Sequence, residues 1–265
     1  RFEPHVGCFR PEGFRTSELR SNGVPILHLP VSSFRSPSAV QGARVMGDYI
    51  RTRGIQLVHS YDVPTTVFGV PVARMYGAPV VVSSQLSYRS LAKPFMRRLL
   101  RVSDRMVDAV VVNCVAMQDH MVRDEKVPVE RTYLCYNGVD TTVFYPAEEP
   151  RPEALTGASM VIGTVCGLRA EKRLDLLVDA FAKVYSLRPK MKLAIVGSGV
   201  MLPKLEQQAR ELGIREACVF QPQTSDIPLW LRAMDIFVLP SDSEAFSNAL
   251  LEAMACGCCP VGSRV

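Results

Sequence analysis

The chain has 265 residues, of which 48% are hydrophobic and 22% charged. Disordered and collagen-like classes are thereby excluded, and the length suffices for two domains of about 120 to 150 residues, each with its own core. The formal net charge of +5 is uneven: residues 1–146 carry 18 Lys/Arg against 12 Asp/Glu, and residues 147–265 carry 13 against 14. The basic excess is too small, and too free of interleaved aromatics, for a nucleic-acid partner.

In chain order the pattern is short β-branched runs alternating with helical periods. Strands are expected at His5–Phe9, Ile26–Val31, Gln56–Ser60, Pro79–Ser84, Ala109–Asn113 and Thr132–Asn137, with helices near 13–21, 39–53, 64–76, 93–106 and 115–124. After Tyr145–Glu153, a stretch rich in Pro and Glu that reads as a linker, strands are expected at Met160–Cys166, Lys192–Val196, Ala217–Gln221, Ile236–Pro240 and Cys259–Gly262. Leu174, Leu177, Phe181 and Tyr185 mark one helical stripe; Leu202, Leu205, Ala209 and Leu212 a second; Ile227, Trp230, Leu231 and Met234 a third. Apolar strands joined by helices predict a parallel sheet covered on both faces. The alternation runs twice, so the fold class expected is α/β, with two tandem Rossmann-like doubly wound domains, 1–146 and 147–265. Ligands in such sheets bind beyond the carboxyl ends of the strands, which implies a cleft shared by the two domains.

No stretch approaches the roughly 20 apolar residues of a membrane span, and residues 1–9 show no basic-then-apolar leader pattern. Cys114, Cys135, Cys166 and Cys218 sit in apolar strand-like runs and read as small hydrophobes in a reducing compartment. Cys256, Cys258 and Cys259 are close together, but no His lies near them, and a structural role is expected.

The segment that carries chemistry runs from Ser241 to Gly257. It starts where a strand ends. Ser247 is a plausible N-cap, Glu244 falls in the loop before the helix, and Glu252 lies about one and a half turns into it. The N–H groups of residues 248–250 would be free at that helix end, a ready site for an anion. A phosphate flanked by two hydroxylated rings would suit two acids bracketing those donors.

This segment resembles the Glu, seven residues, Glu signature of family 4 glycosyltransferases, which have the two-Rossmann-domain GT-B fold. The resemblance implies that Glu244 contacts hydroxyls of a donor sugar, that the backbone of Ala245, Phe246, Ser247, Asn248, Ala249 and Leu250 binds a diphosphate, and that Glu252 holds a ribose diol. Three more segments resemble the family in the same order. They are Asn137-Gly138-Val139-Asp140 with Phe144-Tyr145-Pro146 at the crossover, Ile162 to Lys172 as the first strand and loop of the second domain, and Ile195 to Gly199 with Gly197 and Gly199 near the nucleotide. The crossover alone is only an Asn-Gly turn. Lys172 falls on the diphosphate-binding lysine and would stabilise the leaving nucleotide without a metal ion or other cofactor. Asp226 also fits the family spacing, and reads first as a helix N-cap.

The chain departs from the family pattern in places. Gly167 stands where the family has Arg, with Arg169 or Arg173 as substitutes for its charge. Gln85 stands where the family has a His facing the donor sugar. The family's opening strand and glycine loop, and its segments after Val265, have no counterpart, so the chain is expected to be a piece of a longer enzyme. The implied activity is retaining transfer of a hexose-type sugar from a nucleotide diphosphate donor to a glycan or lipid-linked acceptor, as in polysaccharide biosynthesis. Glu244, Lys172 and Arg169 are the catalytic candidates, and His59 and Gln85 the acceptor-side candidates. A donor-binding protein without catalysis and a nucleotide-sugar epimerase remain alternatives. Residues 93–106 carry Lys93, Arg97, Arg98, Arg101 and Arg105 among Phe95, Met96, Leu99, Leu100 and Val102; Arg97, Arg101 and Arg105 would line one face. That suits either a solvated domain helix or peripheral contact with an anionic membrane at the cytoplasmic side.

Overall fold

The computed structural model describes residues 2–13 and 15–265. Arg1, and Phe14 within the helix expected at 13–21, lie outside the described residues. The chain divides into two compact units, Arg1–Tyr136 and Asn137–Val265.

The first unit runs β1 (Val6–Cys8), α1 (Thr16–Ser21), β2 (Ile26–His28), α2 (Pro37–Arg53), β3 (Leu57–Ser60), α3 (Val63–Met75), β4 (Val80–Gln85), α4 (Pro94–Asp104), β5 (Ala109–Val112), α5 (Val115–Asp119) and β6 (Thr132–Leu134). Local chemistry sets several ends. Pro37 opens α2 and Gly54, in the left-handed region, closes it. Asp62 and Thr65 form a reciprocal capping box on α3. Helix α5 is shorter than the expected 115–124, because its last turn widens into a π-helical turn at His120–Asp124. Strands β3-β4-β5-β6 form one parallel sheet in that order. Val81, Val110 and Val112 are fully buried, as are Val70, Ala73, Met117 and Met121 of the helical segments around them. The first half was expected to hold one sheet; instead β1 and β2 pair in parallel as a separate two-stranded sheet. Among the described residues no strand bonds both to β1 and to β3, and the ladder is therefore interrupted there.

The second unit contains β7 (Met160–Val165), α6 (Leu174–Tyr185), β8 (Met191–Val196), α7 (Leu202–Glu211), β9 (Cys218–Gln221), α8 (Ile227–Arg232), β10 (Ile236–Leu239), α9 (Asn248–Ala255) and β11 (Cys259–Gly262). The strands are parallel, in the order β11-β10-β7-β8-β9. Alternation of side chains along β8 divides the core. Leu193 and Ile195 pack with Leu174, Leu177, Phe181 and Leu205 of α6 and α7, whereas Ala194 and Val196 pack with Trp230, Leu231, Met234 and Ala253 around α8 and α9. Both faces of the sheet are thus covered, as the continuous apolar runs require. The chain leaves β7 toward β8 and β9 on one side and returns to β10 and β11 on the other. The loops after β7 and β10 therefore meet at a topological switch point, where open α/β sheets place their ligands.

The segment expected to be a linker is docked on this second unit. Arg232 donates to the carbonyls of Val143 and Tyr145, pairs with Glu149 and stacks over the Tyr145 ring, while Phe144 packs on the core. The turn expected at Asn137–Gly138 falls four residues on, at residues 141–144. Asp140 sets it by accepting from the Thr142 amide and hydroxyl.

Candidate functional site

The loop after β7 and the loop after β10 bring Lys172 and Glu244 together. Lys172 Nζ lies 2.6 Å from Glu244 Oε2. The pair is largely shielded, with 11% of the lysine side chain and 23% of the glutamate side chain exposed. Ser241, itself buried, donates its hydroxyl to the same carboxylate oxygen at 3.2 Å. Lys172 closes a single 3₁₀ turn, Ala170–Lys172, and Arg173 after it adopts the left-handed backbone, with φ 48°. The Asp242 amide donates to the Glu171 carbonyl at 2.8 Å, which holds the two loops edge to edge.

Arg169 is mostly exposed and pairs with Glu171 at 2.8 Å. Its Nε lies 3.8 Å from where a β-carbon on Gly167 would stand. The Arg169 side chain thus passes beside the glycine at ordinary contact distance, and a β-carbon at 167 would meet no clash. Arg173 points elsewhere, to Asp175 and Asp242.

Gly197 and Gly199 are explained by the same loop. Gly197 has φ 141°, and a β-carbon there would collide with the Cys166 carbonyl oxygen; one on Gly199 would collide with the Leu168 backbone. The Leu168 amide donates to the Ser198 carbonyl and the Met201 amide returns a bond to Leu168. The glycine loop is therefore laced to the loop carrying Arg169 and Lys172.

Helix α9 begins as expected with Ser247 as N-cap, but that cap changes the donor set. Ser247 Oγ accepts from the Leu250 amide at 3.2 Å, so Leu250 is not one of the free donors expected at 248–250. Helical geometry leaves the Asn248 and Ala249 amides without intrahelical acceptors. The Asn248 side chain accepts from Asn137 at 2.7 Å. Ala245 and Phe246 lie half-buried in the loop leading to the cap, and Glu252 lies half-buried within α9. Asp226 sits at the N-cap position of α8 but makes no side-chain cap there; its own amide turns to Thr224 Oγ1.

In the first unit, His59 at the end of β3 bonds through Nε2 to Ser84 Oγ at 2.8 Å and stacks on the exposed Tyr61 ring. Burial holds its pKa below the usual histidine value. A pocket of about 270 Å³ at this end of the sheet is lined by Tyr61, Asp62, Thr66, Ser84, Gln85 and Ser87 among others. The amide of Gln85, the second acceptor-side candidate, is engaged within the fold. Its Nε2 donates to the Ser87 carbonyl and its Oε1 accepts from the buried Arg89, which also binds Asp104 in a two-pronged pair.

Two expectations about side chains need correction. Arg97 and Arg101 do not form an open basic row, because both donate to Glu125, whose side chain is fully buried. Those bonds hold the Glu125 carboxyl below its ordinary range against the opposing effect of burial, the larger single influence. Cys135 is exposed rather than part of an apolar strand, since β6 stops at Leu134. Cys256 and Cys258 are core residues; the Cys258 thiol donates to the Leu231 carbonyl and burial pushes its pKa up to about 11. Sequence reasoning missed Ser241, the Asp242 ties and the Arg89–Asp104–Glu125 cluster. The only signal for that cluster was charged residues interrupting apolar runs.

Residues 1–138 match the model of the glycosyl transferase 4-like domain, and residues 147–265 match that of glycosyl transferases group 1. The chain belongs to this glycosyltransferase family. A D-inositol 3-phosphate glycosyltransferase of Arthrobacter sp. (strain FB24) is 28% identical over 79% of the chain and 54% of its own length. An N-acetyl-alpha-D-glucosaminyl L-malate synthase of Bacillus anthracis is 24% identical over 84% of the chain and 60% of its own length. The chain thus spans little more than half of these curated relatives. Among solved structures, Anabaena HepE in complex with UDP and glucose superposes with a TM-score of 0.83 at 21% identity, over 98% of this chain and 73% of that one. Sucrose-phosphate synthase of Thermosynechococcus elongatus gives 0.75 at 18%, over 92% and 66%. These likenesses show the GT-B fold.

A pocket of about 380 Å³ in the second unit borders Glu171, Arg173, Asp175, Met201, Lys204 and Asp242. Neither Lys172 nor Glu244 lines it. The motif residues, rather than this hollow, mark the switch point of this sheet.

Proposed function

We propose that the protein transfers a hexose-type sugar from a nucleoside diphosphate donor to a glycan or lipid-linked acceptor, with retention of anomeric configuration. The carrying observation is the 2.6 Å contact between Lys172 and Glu244 at the switch point of the second unit. The bond broken in such a transfer joins a sugar to a phosphate. A carboxylate suited to sugar hydroxyls and a cation suited to the phosphate stand side by side, so one ligand can touch both across that bond. Lys172, Arg169 and the first amides of α9 would stabilise charge on the leaving diphosphate, and the reading calls for no metal ion. Glu252 would hold the ribose, and the loop at Gly197–Gly199 would pass beside the nucleotide. With its oxygen shared by Lys172 and Ser241, Glu244 is a poor nucleophile, which favours retention by charge stabilisation over a covalent intermediate. The names of the relatives support sugar transfer, and the UDP and glucose in the HepE complex support a nucleotide-sugar donor.

On the acceptor side Tyr61 offers exposed surface, with the half-buried His59 ring stacked beneath it; Gln85 acts through its neighbours. Contact with an anionic membrane at the cytoplasmic side would rest on Lys93, Arg98 and Arg105 beside the exposed Phe95 and Val102. No helix among the described residues is long and apolar enough to cross a membrane.

The test is a panel of UDP-, GDP- and ADP-sugars offered to the full-length protein, read by thermal shift and then by product analysis. A donor that binds the native state raises the melting point by mass action. Lys172→Ala and Glu252→Ala should abolish that rise, and the product should keep the donor's anomeric configuration by NMR. A panel in which no nucleotide sugar shifts the melting point sinks the reading.

A further inference from the structure

Arg173 holds a left-handed backbone, φ 48° and ψ 41°, directly after Lys172. A β-carbon disfavours that conformation, and glycine meets it most easily. The side chain accounts for an arginine there. Its Nη1 donates to both carboxylate oxygens of Asp242 at 3.1 Å, and Nε and Nη2 donate to Asp175 at 3.2 and 3.3 Å. Asp175 is in the first turn of α6, and Asp242 lies in the loop after β10. One guanidinium therefore ties three segments: the turn that carries Lys172, the start of α6 and the loop that carries Glu244. The bond from the Asp242 amide to the Glu171 carbonyl is a second tie on the other side of Lys172. Asp242 is more than half exposed, and ion pairs of that exposure contribute little to global stability. The consequence of the clasp is geometric.

We propose that Arg173 is a positioning residue that sets Lys172 against Glu244 through Asp242, and so tunes the grip on a donor diphosphate without touching it. The proposal rests on the donor-site reading above. Arg173→Gly removes the clasp while keeping a residue that tolerates the backbone. Asp242→Asn removes the charge at the other end and leaves the amide tie in place.

The experiment is calorimetric binding of UDP, GDP and ADP to the full-length protein, in the native background and in Lys172→Ala. In the native background, Arg173→Gly and Asp242→Asn should each weaken the best-bound diphosphate by about threefold to tenfold, with the melting point nearly unchanged. In Lys172→Ala the same substitutions should have almost no effect, because the group they position is gone. Arg173→Lys should recover part of the loss. Equal losses in both backgrounds, or no loss from either substitution, overturn the positioning role and leave the donor reading standing. If Lys172→Ala itself leaves all three affinities unchanged, the donor reading falls and the proposal falls with it. Should Arg173→Gly fail to fold, Asp242→Asn carries the comparison alone.

Discussion

Lys172 shows how little of a site is a matter of one residue. Its charge is placed by a 3₁₀ turn, balanced by Glu244 and flanked by Ser241. Glu244→Gln keeps the size and a hydrogen-bonding oxygen but withdraws the balancing charge from a shielded lysine; the expected result is a loss of transfer rate of about a hundredfold or more, measured as kcat on a native-like fold. Gly197 lends itself to a sharper stability prediction. Gly197→Ala puts a β-carbon into the Cys166 carbonyl at φ 141°, so unfolding in urea should show a loss of at least ~2 kcal/mol; an unchanged midpoint would mean that the two loops can part freely. His59 sets a pH dependence. Burial lowers its folded pKa below 6.5, so between the two values the unfolded chain binds the proton and the folded one does not. Its contribution to stability is therefore full above about pH 6.5 and declines as pH falls toward the folded value. An NMR titration of the His59 ring should give a midpoint below 6.5, and a midpoint above it would contradict the burial argument.

The elements themselves were mostly legible, for a physical reason. The inner strands β7, β8 and β10 of the second unit are apolar runs within the sheet, and such runs stand out against helical periods; the exposed edge strand β11 spans the residues expected of it, and β8 and β10 differ by one residue at one end. The misses fall where tertiary contacts override local pattern. Arg97 and Arg101 recur at helical spacing like a solvated face, yet a buried carboxylate on a distant π-helical turn edge, Glu125, claims both. Ser247 was readable as a cap, but a cap by its nature consumes an amide that the sequence shows as free. Helix α2 makes the conflict testable. Gly47→Ala should gain about 1 kcal/mol by helix propensity alone. A β-carbon at 47 would instead collide with the Tyr76 ring, a rigid group under the Arg51 guanidinium. The contact should win, leaving a net loss of roughly 1–3 kcal/mol in chemical denaturation; a net gain would show that α2 and the end of α3 have room to separate.

For the whole molecule, each unit has its own buried residues, and the cysteines report on them separately. Cys218, Cys256 and Cys258 are buried in the second unit, and burial pushes Cys218 and Cys258 up to about 11. At pH 8 only about a thousandth of such a thiol is thiolate, and access adds a further barrier. Cys135 and Cys259 are exposed and should react with an alkylating reagent at once. The buried thiols should react only through opening of the second unit, so their labelling rate reads that opening. A ligand bound only by the native second unit slows it by mass action, about a hundredfold at a hundred times its Kd. With a bound nucleoside diphosphate, mass spectrometry should therefore find Cys218 and Cys258 protected by that factor while Cys135 reacts as before. Protection that appeared with inorganic phosphate alone would reduce the site to a general anion pocket. Protection that required the nucleotide would tie the acids and the lysine at this switch point to one extended donor.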